Sequence, residues 1–200
     1  MSLKTKVKAG RINNLSDARY CAGMGVEMLG FVIDPDSNEA LSPELFNAIT
    51  GWVSGVQLVG EIFSSNLPDQ ESYSVSAIQT RDPGLIPQIK QRNLSVILSI
   101  DLEETPTGEA GELLNRCKDE VLLFLIEKNG AKILNDNEIG KLKEWSKDFP
   151  IMLGFGIEAG NLDKIIDVGV QGVAIYGSNE ERPGFKSYDE MADILEALEE

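Results

Sequence analysis

Short apolar segments recur along the whole chain, and each is followed by a polar turn and then by a stretch with helical spacing. This alternation predicts repeated strand–helix units. Most of the segments are apolar without interruption, as expected for strands that are covered on both faces. Eight strands are predicted, at 6–9, 28–33, 56–63, 76–80, 95–100, 121–126, 151–155 and 172–176.

Helix signals occur between these segments. Ser16 precedes a helix that Gly23 or Gly25 can end, and Ser42 followed by Pro43 combines a cap with a first-turn proline. Segment 64–74 is poor in apolar residues and is predicted to be a loop. The remaining predicted helices are 82–91, 108–118, 136–147, 159–168 and an amphipathic closing helix at 187–198 that buries Met191, Ile194, Leu195 and Leu198.

Eight strand–helix units in 200 residues predict an α/β fold, a single compact (β/α)8 TIM barrel that occupies residues 1–200 as one domain. A doubly wound open sheet is the rival fold. The sequence after the first strand, Ala9-Gly10-Arg11-Ile12-Asn13, lacks the glycine-rich nucleotide-binding pattern of that rival. In a TIM barrel the functional groups lie at the carboxyl ends of the strands.

The charge and hydropathy of the chain exclude several classes of partner. Eighteen basic and thirty-three acidic residues give a formal net charge of -15, which argues against nucleic-acid binding through a basic face. No apolar run approaches the roughly 18–20 residues of a membrane span, so no membrane association is expected. The N-terminal residues lack the apolar stretch of a secretory signal, and a cytoplasmic location is expected.

The chain has no histidine and only two cysteines, Cys21 and Cys117. Serine–histidine and cysteine–histidine nucleophile pairs are therefore excluded, and acid–base chemistry has to use Asp, Glu, Lys, Cys, Tyr or Arg. The cysteines fit neither a disulfide framework nor a zinc cluster. No metal site and no cofactor are predicted, although magnesium binding by oxygen ligands alone stays open.

Glycine-rich turns follow the last two predicted strands. Gly154, Gly156 and Ile157 follow the seventh strand, and Gly177 and Ser178 follow the eighth. Glycine lets backbone N–H groups approach a phosphate closely, and the loops after strands seven and eight are a frequent phosphate site in this fold. These five residues are the predicted phosphate-binding residues. The alternative is that the glycines only form tight strand-to-helix turns.

Several motifs occur in order along almost the whole chain. They are Asn14-Leu15-Ser16-Asp17-Ala18, Leu29-Gly30-Phe31-Val32, Leu41-Ser42-Pro43-Glu44, Val59-Gly60-Glu61-Ile62-Phe63, Ile151-Met152-Leu153-Gly154-Phe155-Gly156 and Arg182-Pro183-Gly184-Phe185-Lys186. Their succession resembles the phosphoribosylanthranilate isomerase family. The resemblance implies an intramolecular aldose–ketose isomerase of tryptophan biosynthesis, an aromatic amino acid pathway. It further implies a phosphorylated small-molecule ligand and a monomer or homodimer.

The family reaction is the Amadori rearrangement of N-(5-phosphoribosyl)anthranilate, which needs one base and one acid. In the family, a cysteine at the end of the first strand is the base and an aspartate at the end of the sixth is the acid. The resemblance puts Gly10 at the cysteine position and Glu127 at the acid position. An arginine that holds the anthranilate carboxylate is replaced by Glu39, and Arg81, after Gln79, stands where a histidine is usual.

These departures leave the base unassigned. Lys8 is the candidate catalytic substitute, as a base or a Schiff-base nucleophile, and its alternative is a strand residue paired with Glu127 or Glu61. Arg11 either binds phosphate or carboxylate or is a solvated loop residue. Glu127 and Lys8 are thus the candidate catalytic residues.

The expected substrate-binding residues are Arg11, Glu39, Gln79 and Arg81. A carboxylate at position 39 favours a cationic or neutral ligand head group. Three functions stay open: an isomerase of an aminated phosphosugar, a non-catalytic phosphosugar-binding paralogue, and a lysine-dependent lyase or aldolase reaction on a phosphorylated small molecule.

Overall fold

The computed structural model describes residues 2–129, 133–176 and 189–200, and within them eight parallel strands close into a barrel in sequence order. β8 pairs with β1, so the sheet has no free edge. The predicted (β/α)8 barrel is confirmed, and the open sheet is excluded by this closure. The strands are β1 (Lys6–Gly10), β2 (Met28–Val32), β3 (Gln57–Ile62), β4 (Ala77–Thr80), β5 (Ser95–Asp101), β6 (Leu123–Glu127), β7 (Ile151–Leu153) and β8 (Gly172–Tyr176).

Helices occupy most of the segments between the strands. In the described part of the chain they are α1 (Leu15–Gly23), α2 (Pro43–Thr50), α3 (Ile86–Gln91), α4 (Thr107–Cys117), α5 (Asp136–Trp145), α6 (Leu162–Asp167) and α7 (Asp189–Ala197). Ser42 caps α2 as predicted. The prediction that Ser16 starts the first helix is wrong. The side chain of Asn14 accepts the N–H of Asp17 at 2.9 Å, so the helix begins earlier.

The segment between β3 and β4 contains only a short 3-10 helix, Gln70–Ser72, within the predicted loop at 64–74. Tyr73 fastens this segment to the barrel. Its ring packs edge-to-face on Phe46 with centroids 5.4 Å apart, and its hydroxyl donates to the carbonyl of Leu41 at 2.7 Å.

The predicted apolar face of the closing helix is buried, at Met191, Ile194, Leu195 and Leu198. The start predicted at 187 lies outside the described residues. Cys21 and Cys117 are both buried in helices. None of the described helices is both long enough and apolar enough to cross a membrane.

The barrel interior changes from apolar to polar along its axis. Side chains two residues apart on a strand share a face, so each apolar interior position is followed toward the carboxyl end by a second interior position. Val59 precedes Glu61 on β3, and Leu125 precedes Glu127 on β6. The apolar layers consist of Met28, Val59, Ala77, Ile97, Leu123, Leu125, Met152 and Ala174. The polar end of the interior is therefore the end at which TIM barrels bind ligands.

Asp34, just after β2, links the segments that follow β2 and β3 at this end of the barrel. It is 2% exposed, and its carboxylate accepts the N–H groups of Phe63 and Ser64 at 2.8 Å each. It also accepts the hydroxyl of Ser64 at 2.7 Å and the N–H of Asp36 at 3.0 Å. Burial alone would raise the pKa of Asp34, but these hydrogen bonds outweigh burial and lower that pKa below its ordinary value of 3.8.

Asp34→Asn should lower the free energy of unfolding at neutral pH by about 1–3 kcal/mol, because an amide NH₂ would face backbone N–H donors. A depressed native pKa stabilises the fold above the unfolded-state pKa, and this stabilisation is lost as the pH falls through the native value. The difference between the wild type and the variant should therefore shrink below about pH 4. Urea unfolding at neutral and acidic pH measures both effects.

Asp36→Asn is the matched control, because Asp36 is an exposed carboxylate in the same turn. It should change stability by less than about 0.5 kcal/mol. An equal loss in the two variants would contradict the role assigned to Asp34.

Candidate functional site

A pocket of about 270 Å³ opens at the carboxyl ends of the strands. Its walls combine two guanidinium groups, one carboxylate, two amides and two aromatic rings. The lining residues are Arg11, Phe63, Gln79, Arg81, Glu127, Asn129 and Tyr176. Four of the six residues assigned to catalysis or substrate binding, Arg11, Gln79, Arg81 and Glu127, are thus brought together, whereas Lys8 and Glu39 are not part of the lining.

Lys8 lies below the pocket, fully buried, and its ammonium group pairs with the carboxylate of Glu61, which is also fully buried. Glycines on two strands leave room for this pair. A Cβ on Gly30 would come within 2.7 Å of Lys8 Nζ, and a Cβ on Gly10 within 2.8 Å of Glu61 Oε1. The arrangement agrees with the structural alternative for Lys8, a strand residue paired with Glu61. Its catalytic role stays a prediction.

Glu127 is held from two sides. The hydroxyl of Tyr176 donates to Glu127 Oε1, and Arg81 Nη2 lies 3.5 Å from Glu127 Oε2. Its position at the end of β6, facing the pocket, fits the acid position implied by the resemblance.

Arg81 also lies 3.6 Å from Asp101 and 3.9 Å from Glu104, measured between nitrogen and oxygen. Asp101 accepts the side-chain amide of Asn129 at 2.5 Å. The guanidinium of Arg81 therefore links three carboxylates, two from β5 and the turn after it and one from β6. Within the described ranges, no group of three or more acidic or cysteine side chains could hold a metal ion.

Tyr176 remains a neutral phenol over a wide pH range. Burial raises its pKa well above the ordinary value of 10.0, and the carboxylates of Glu127 and Glu61 add to the increase because they disfavour a phenolate nearby. The hydroxyl is thus a hydrogen-bond donor to Glu127 at neutral pH.

Position 10, where the resemblance implies a catalytic cysteine, has no room for a side chain. Gly10 pairs with Tyr176 across the β1–β8 seam, and a Cβ on Gly10 would lie 2.7 Å from Tyr176 Cε1. Real Cβ atoms almost never approach another heavy atom so closely. The ring of Tyr176 and the carboxylate of Glu61 therefore occupy the space that a side chain at position 10 would need.

Arg11 and Glu39 form an ion pair at the rim, 3.7 Å apart, with both side chains about half exposed. The carboxylate of Glu39 therefore faces a guanidinium, which weakens the expectation that it selects a cationic ligand head group. Arg11 also lies over two aromatic rings, with its Cζ atom 5.5 Å from the ring centre of Phe63 and 6.0 Å from that of Tyr176.

Two polar atoms of the pocket walls are buried without a partner in the described part of the chain. They are Oε1 of Gln79, a residue only 2% exposed, and Nε of Arg81. One is an acceptor and the other a donor. Buried polar atoms in native proteins are nearly always satisfied, so these two atoms indicate a place for a ligand group or for water.

The glycines after β7 differ in whether their N–H groups are free to bind an anion. The N–H of Gly154 donates to the carbonyl of Ile126 at 2.8 Å and so belongs to the sheet. Gly156 has φ +62, and no hydrogen bond from its N–H or from that of Ile157 is found among the described residues. The assignments of Gly177 and Ser178 lie outside the described residues.

Sequence reasoning missed several members of the site. Phe63, Asp101, Asn129 and Tyr176 were not assigned roles, although each lies at or just after the carboxyl end of a strand. The available signal was the two-residue spacing: Tyr176 follows the interior residue Ala174 by two positions. Asn129 and Phe63, in loops, carried no comparable signal.

A closed (β/α)8 barrel with a charged pocket at the carboxyl ends of its strands belongs to a large structural class with many functions. No protein-family model matches the chain, and no curated protein matches it in sequence. Several solved phosphoribosylanthranilate isomerases share its fold.

The isomerase from Thermotoga maritima has a TM-score of 0.77 at 21% identity over 97% of this chain and 98% of that one. The isomerase from Thermus thermophilus has a TM-score of 0.74 at 22% identity over 96% and 98%. A third isomerase structure, solved with reduced 1-(o-carboxyphenylamino)-1-deoxyribulose 5-phosphate, has a TM-score of 0.74 at 22% identity over 97% and 98%.

Because its pKa is raised, we expect Tyr176 to contribute little phenolate absorbance when the native protein is titrated. Absorbance titration of the native protein through the ordinary tyrosine range near pH 10 should give nearly the same phenolate signal for wild type and Tyr176→Phe, because the pKa of Tyr176 is raised well above its ordinary value of 10.0. In guanidinium chloride the wild type should show one more phenolate with a pKa near 10. The stability that the neutral phenol contributes is complete below about pH 10 and is lost above it as the unfolded state ionises.

A smaller native signal in Tyr176→Phe would show that Tyr176 titrates in the folded protein and would contradict this environment. Far-ultraviolet circular dichroism across the same pH range verifies that both proteins stay folded.

Proposed function

We propose that this protein is a phosphoribosylanthranilate isomerase-like barrel that binds a phosphorylated sugar at the carboxyl ends of its strands and does not catalyse the family's Amadori rearrangement. The observation that carries the proposal is the closed base position at Gly10. The pocket and the fold are retained around it.

The binding half of the proposal has three supports. The fold matches isomerases over nearly their whole length, and one of them was solved with a phosphorylated ligand. The pocket contains Arg11, Arg81, Gln79 and Asn129, whose side chains hydrogen-bond to sugar hydroxyl and anionic groups. The amides of Gly156 and Ile157 follow β7, where barrels of this class commonly bind phosphate.

The loss of the rearrangement follows from proton transfer. The family reaction removes a proton from a sugar carbon, and a base must lie within about 3 Å of that proton's position. Gly10 has no side chain, and Tyr176 fills the space next to it. Lys8 is enclosed and paired with Glu61, outside the pocket lining. Glu127 keeps the acid position, but an acid without a base does not complete the rearrangement.

D-Ribose 5-phosphate should bind at least about tenfold more tightly than D-ribose, because charge-assisted hydrogen bonds to the phosphate contribute about 1.5–3 kcal/mol. Isothermal titration calorimetry measures both affinities. Gly156→Ala should weaken the binding of ribose 5-phosphate and leave the binding of ribose unchanged. At φ +62 a side chain is strained, and its Cβ would lie 2.9 Å from the Leu134 nitrogen, so the loop has to move.

Gly169→Ala is the control for backbone strain, because Gly169 has φ +88 and an added Cβ meets nothing within 4 Å. It lies between α6 and β8, at the opposite end of the barrel. It should lower stability and leave ribose 5-phosphate binding unchanged. Equal affinities of the wild type for ribose and ribose 5-phosphate would overturn the phosphosugar proposal.

Neither the wild type nor Gly10→Cys should turn over phosphoribosylanthranilate in a fluorescence assay. The side chain of the cysteine would collide with Tyr176, so a cysteine at position 10 should not act as a base. Gly10→Ala should cost about 1–3 kcal/mol of stability, a typical overpacking penalty. Gly108→Ala is its control, because an added Cβ there meets nothing within 4 Å.

Turnover by the wild type that disappears in Glu127→Gln would make the protein an active isomerase and would refute the non-catalytic half of the proposal. That result would leave the other half of the proposal, the binding of a phosphorylated sugar, intact.

A further inference from the structure

The backbone at Arg11 is held in an unfavourable conformation. Its φ of +54 lies in the left-handed region, which costs a residue with a side chain about 1–2 kcal/mol. The N–H of Arg11 donates to Glu61 Oε2 at 3.1 Å, and the next N–H, of Ile12, donates to the carbonyl of Gly30 at 2.8 Å. These contacts fix the turn, and such maintained strain is typical of ligand sites.

The group that holds Arg11 is itself fixed. Glu61 is fully buried and its second oxygen pairs with the buried ammonium group of Lys8. A buried carboxylate needs such a partner, so Lys8 holds the side chain of Glu61 in place. Lys8 and Glu61 thus act as positioning residues for Arg11, a role that explains why two ionic side chains lie inside the barrel.

The guanidinium of Arg11 lies among charged and aromatic neighbours, but its N–H groups make no hydrogen bond within the described part of the protein. It lies over the rings of Phe63 and Tyr176, at distances typical of cation–π contacts. It makes an ion pair of 3.7 Å with the half-exposed Glu39, but none of the hydrogen bonds found among the described residues involves its N–H groups. A guanidinium whose N–H groups make no such hydrogen bond can bind a planar, two-oxygen anion through two of them, and a carboxylate fits that geometry.

A second feature of the same pocket specifies a neighbouring group. Gln79 Oε1 needs a donor and Arg81 Nε needs an acceptor, and both are buried at the pocket wall. A hydroxyl, which both donates and accepts a hydrogen bond, is a sugar group that can supply both. The one carboxylate of the pocket lining, Glu127, is engaged by Tyr176 and Arg81 rather than by Arg11.

We infer that the ligand is a hydroxylated carboxylic acid, a sugar acid, whose carboxylate binds Arg11 and whose hydroxyl binds Gln79 and Arg81. This inference rests on the proposed function for the phosphate at the other end of the ligand. It moves recognition of the carboxylate to the loop after β1, away from position 39.

Two commercial probes differ at one carbon. D-Gluconate 6-phosphate carries a carboxylate where D-glucose 6-phosphate carries an aldehyde in its hemiacetal form. Calorimetry on the wild type should show the acid binding at least about tenfold more tightly, the effect of a charge-assisted hydrogen-bonded pair. D-Gluconate lacks the phosphate, so its affinity measures the contribution of the carboxylate end of the ligand by itself.

Arg11→Gln and Arg11→Gly should each reduce the ratio of the affinity for gluconate 6-phosphate to the affinity for glucose 6-phosphate to near one. Arg11→Gly also relieves the strain at φ +54, so its melting temperature should not fall. Asn93→Gly is the matched control, because Asn93 has φ +57 in the turn after α3, away from the pocket. It should keep the wild-type ratio.

Glu39→Gln removes the competing carboxylate and should tighten binding of gluconate 6-phosphate severalfold. Lys8→Met with Glu61→Gln tests the positioning role: selectivity for the acid should fall while glucose 6-phosphate binding persists. Unchanged selectivity in that double variant would contradict the role of Lys8 and Glu61.

The outcomes separate the two proposals. Equal binding of both phosphate esters overturns the sugar-acid inference and leaves the phosphosugar proposal intact. Binding of gluconate as tightly as gluconate 6-phosphate, lost in Arg11→Gln, supports the carboxylate site and overturns the phosphate proposal. No binding of any of the three probes overturns both.

Discussion

The ion pair between Lys8 and Glu61 inside the barrel imposes the conditions that the rest of the site satisfies. Taking two charges out of water costs several kcal/mol for each ion, and this cost is recovered only where they contact each other and gain further hydrogen bonds. Glu61 meets this requirement with Lys8 on one oxygen and the N–H of Arg11 on the other. The pair also needs space, and glycines at positions 10 and 30 provide it.

The same requirement shapes the neighbourhood of position 10. Gly10, which leaves room for Glu61, stands where the resemblance implies the family's base. The ring of Tyr176 then packs against Gly10, and its hydroxyl holds Glu127. One packing arrangement therefore leaves no room for a side chain at position 10, holds the carboxylate of Glu127 and fixes the backbone N–H of Arg11. Similarity of fold and difference of site are compatible because a barrel's stability depends on its apolar layers and its chemistry on the strand ends.

The barrel was predictable from the sequence because strands buried on both faces require continuous apolar segments. β8 has the predicted bounds. Segment 64–74, predicted to be a loop because it has few apolar residues, contains only one short 3-10 helix. The start of α1 was wrong, because Asn14 and Ser16 are both good caps and only the backbone decides which one accepts an N–H. Among the site residues, Arg11, Gln79, Arg81 and Glu127 were found through the order of motifs, whereas Tyr176 and Asn129 were not.

The sequence by itself determined the alternation of strands and helices, the absence of histidine chemistry and the types of residue available at the strand ends. The tertiary structure decided which of those residues meet. Lys8 and Glu61 are 53 positions apart, and Gly10 faces Tyr176 only because β8 closes the barrel against β1. Local sequence patterns encode the period of a strand but not the partner that barrel closure brings to it. For that reason the glycine at position 10 could be read from the chain, while the ring and the carboxylate that surround it required the folded barrel.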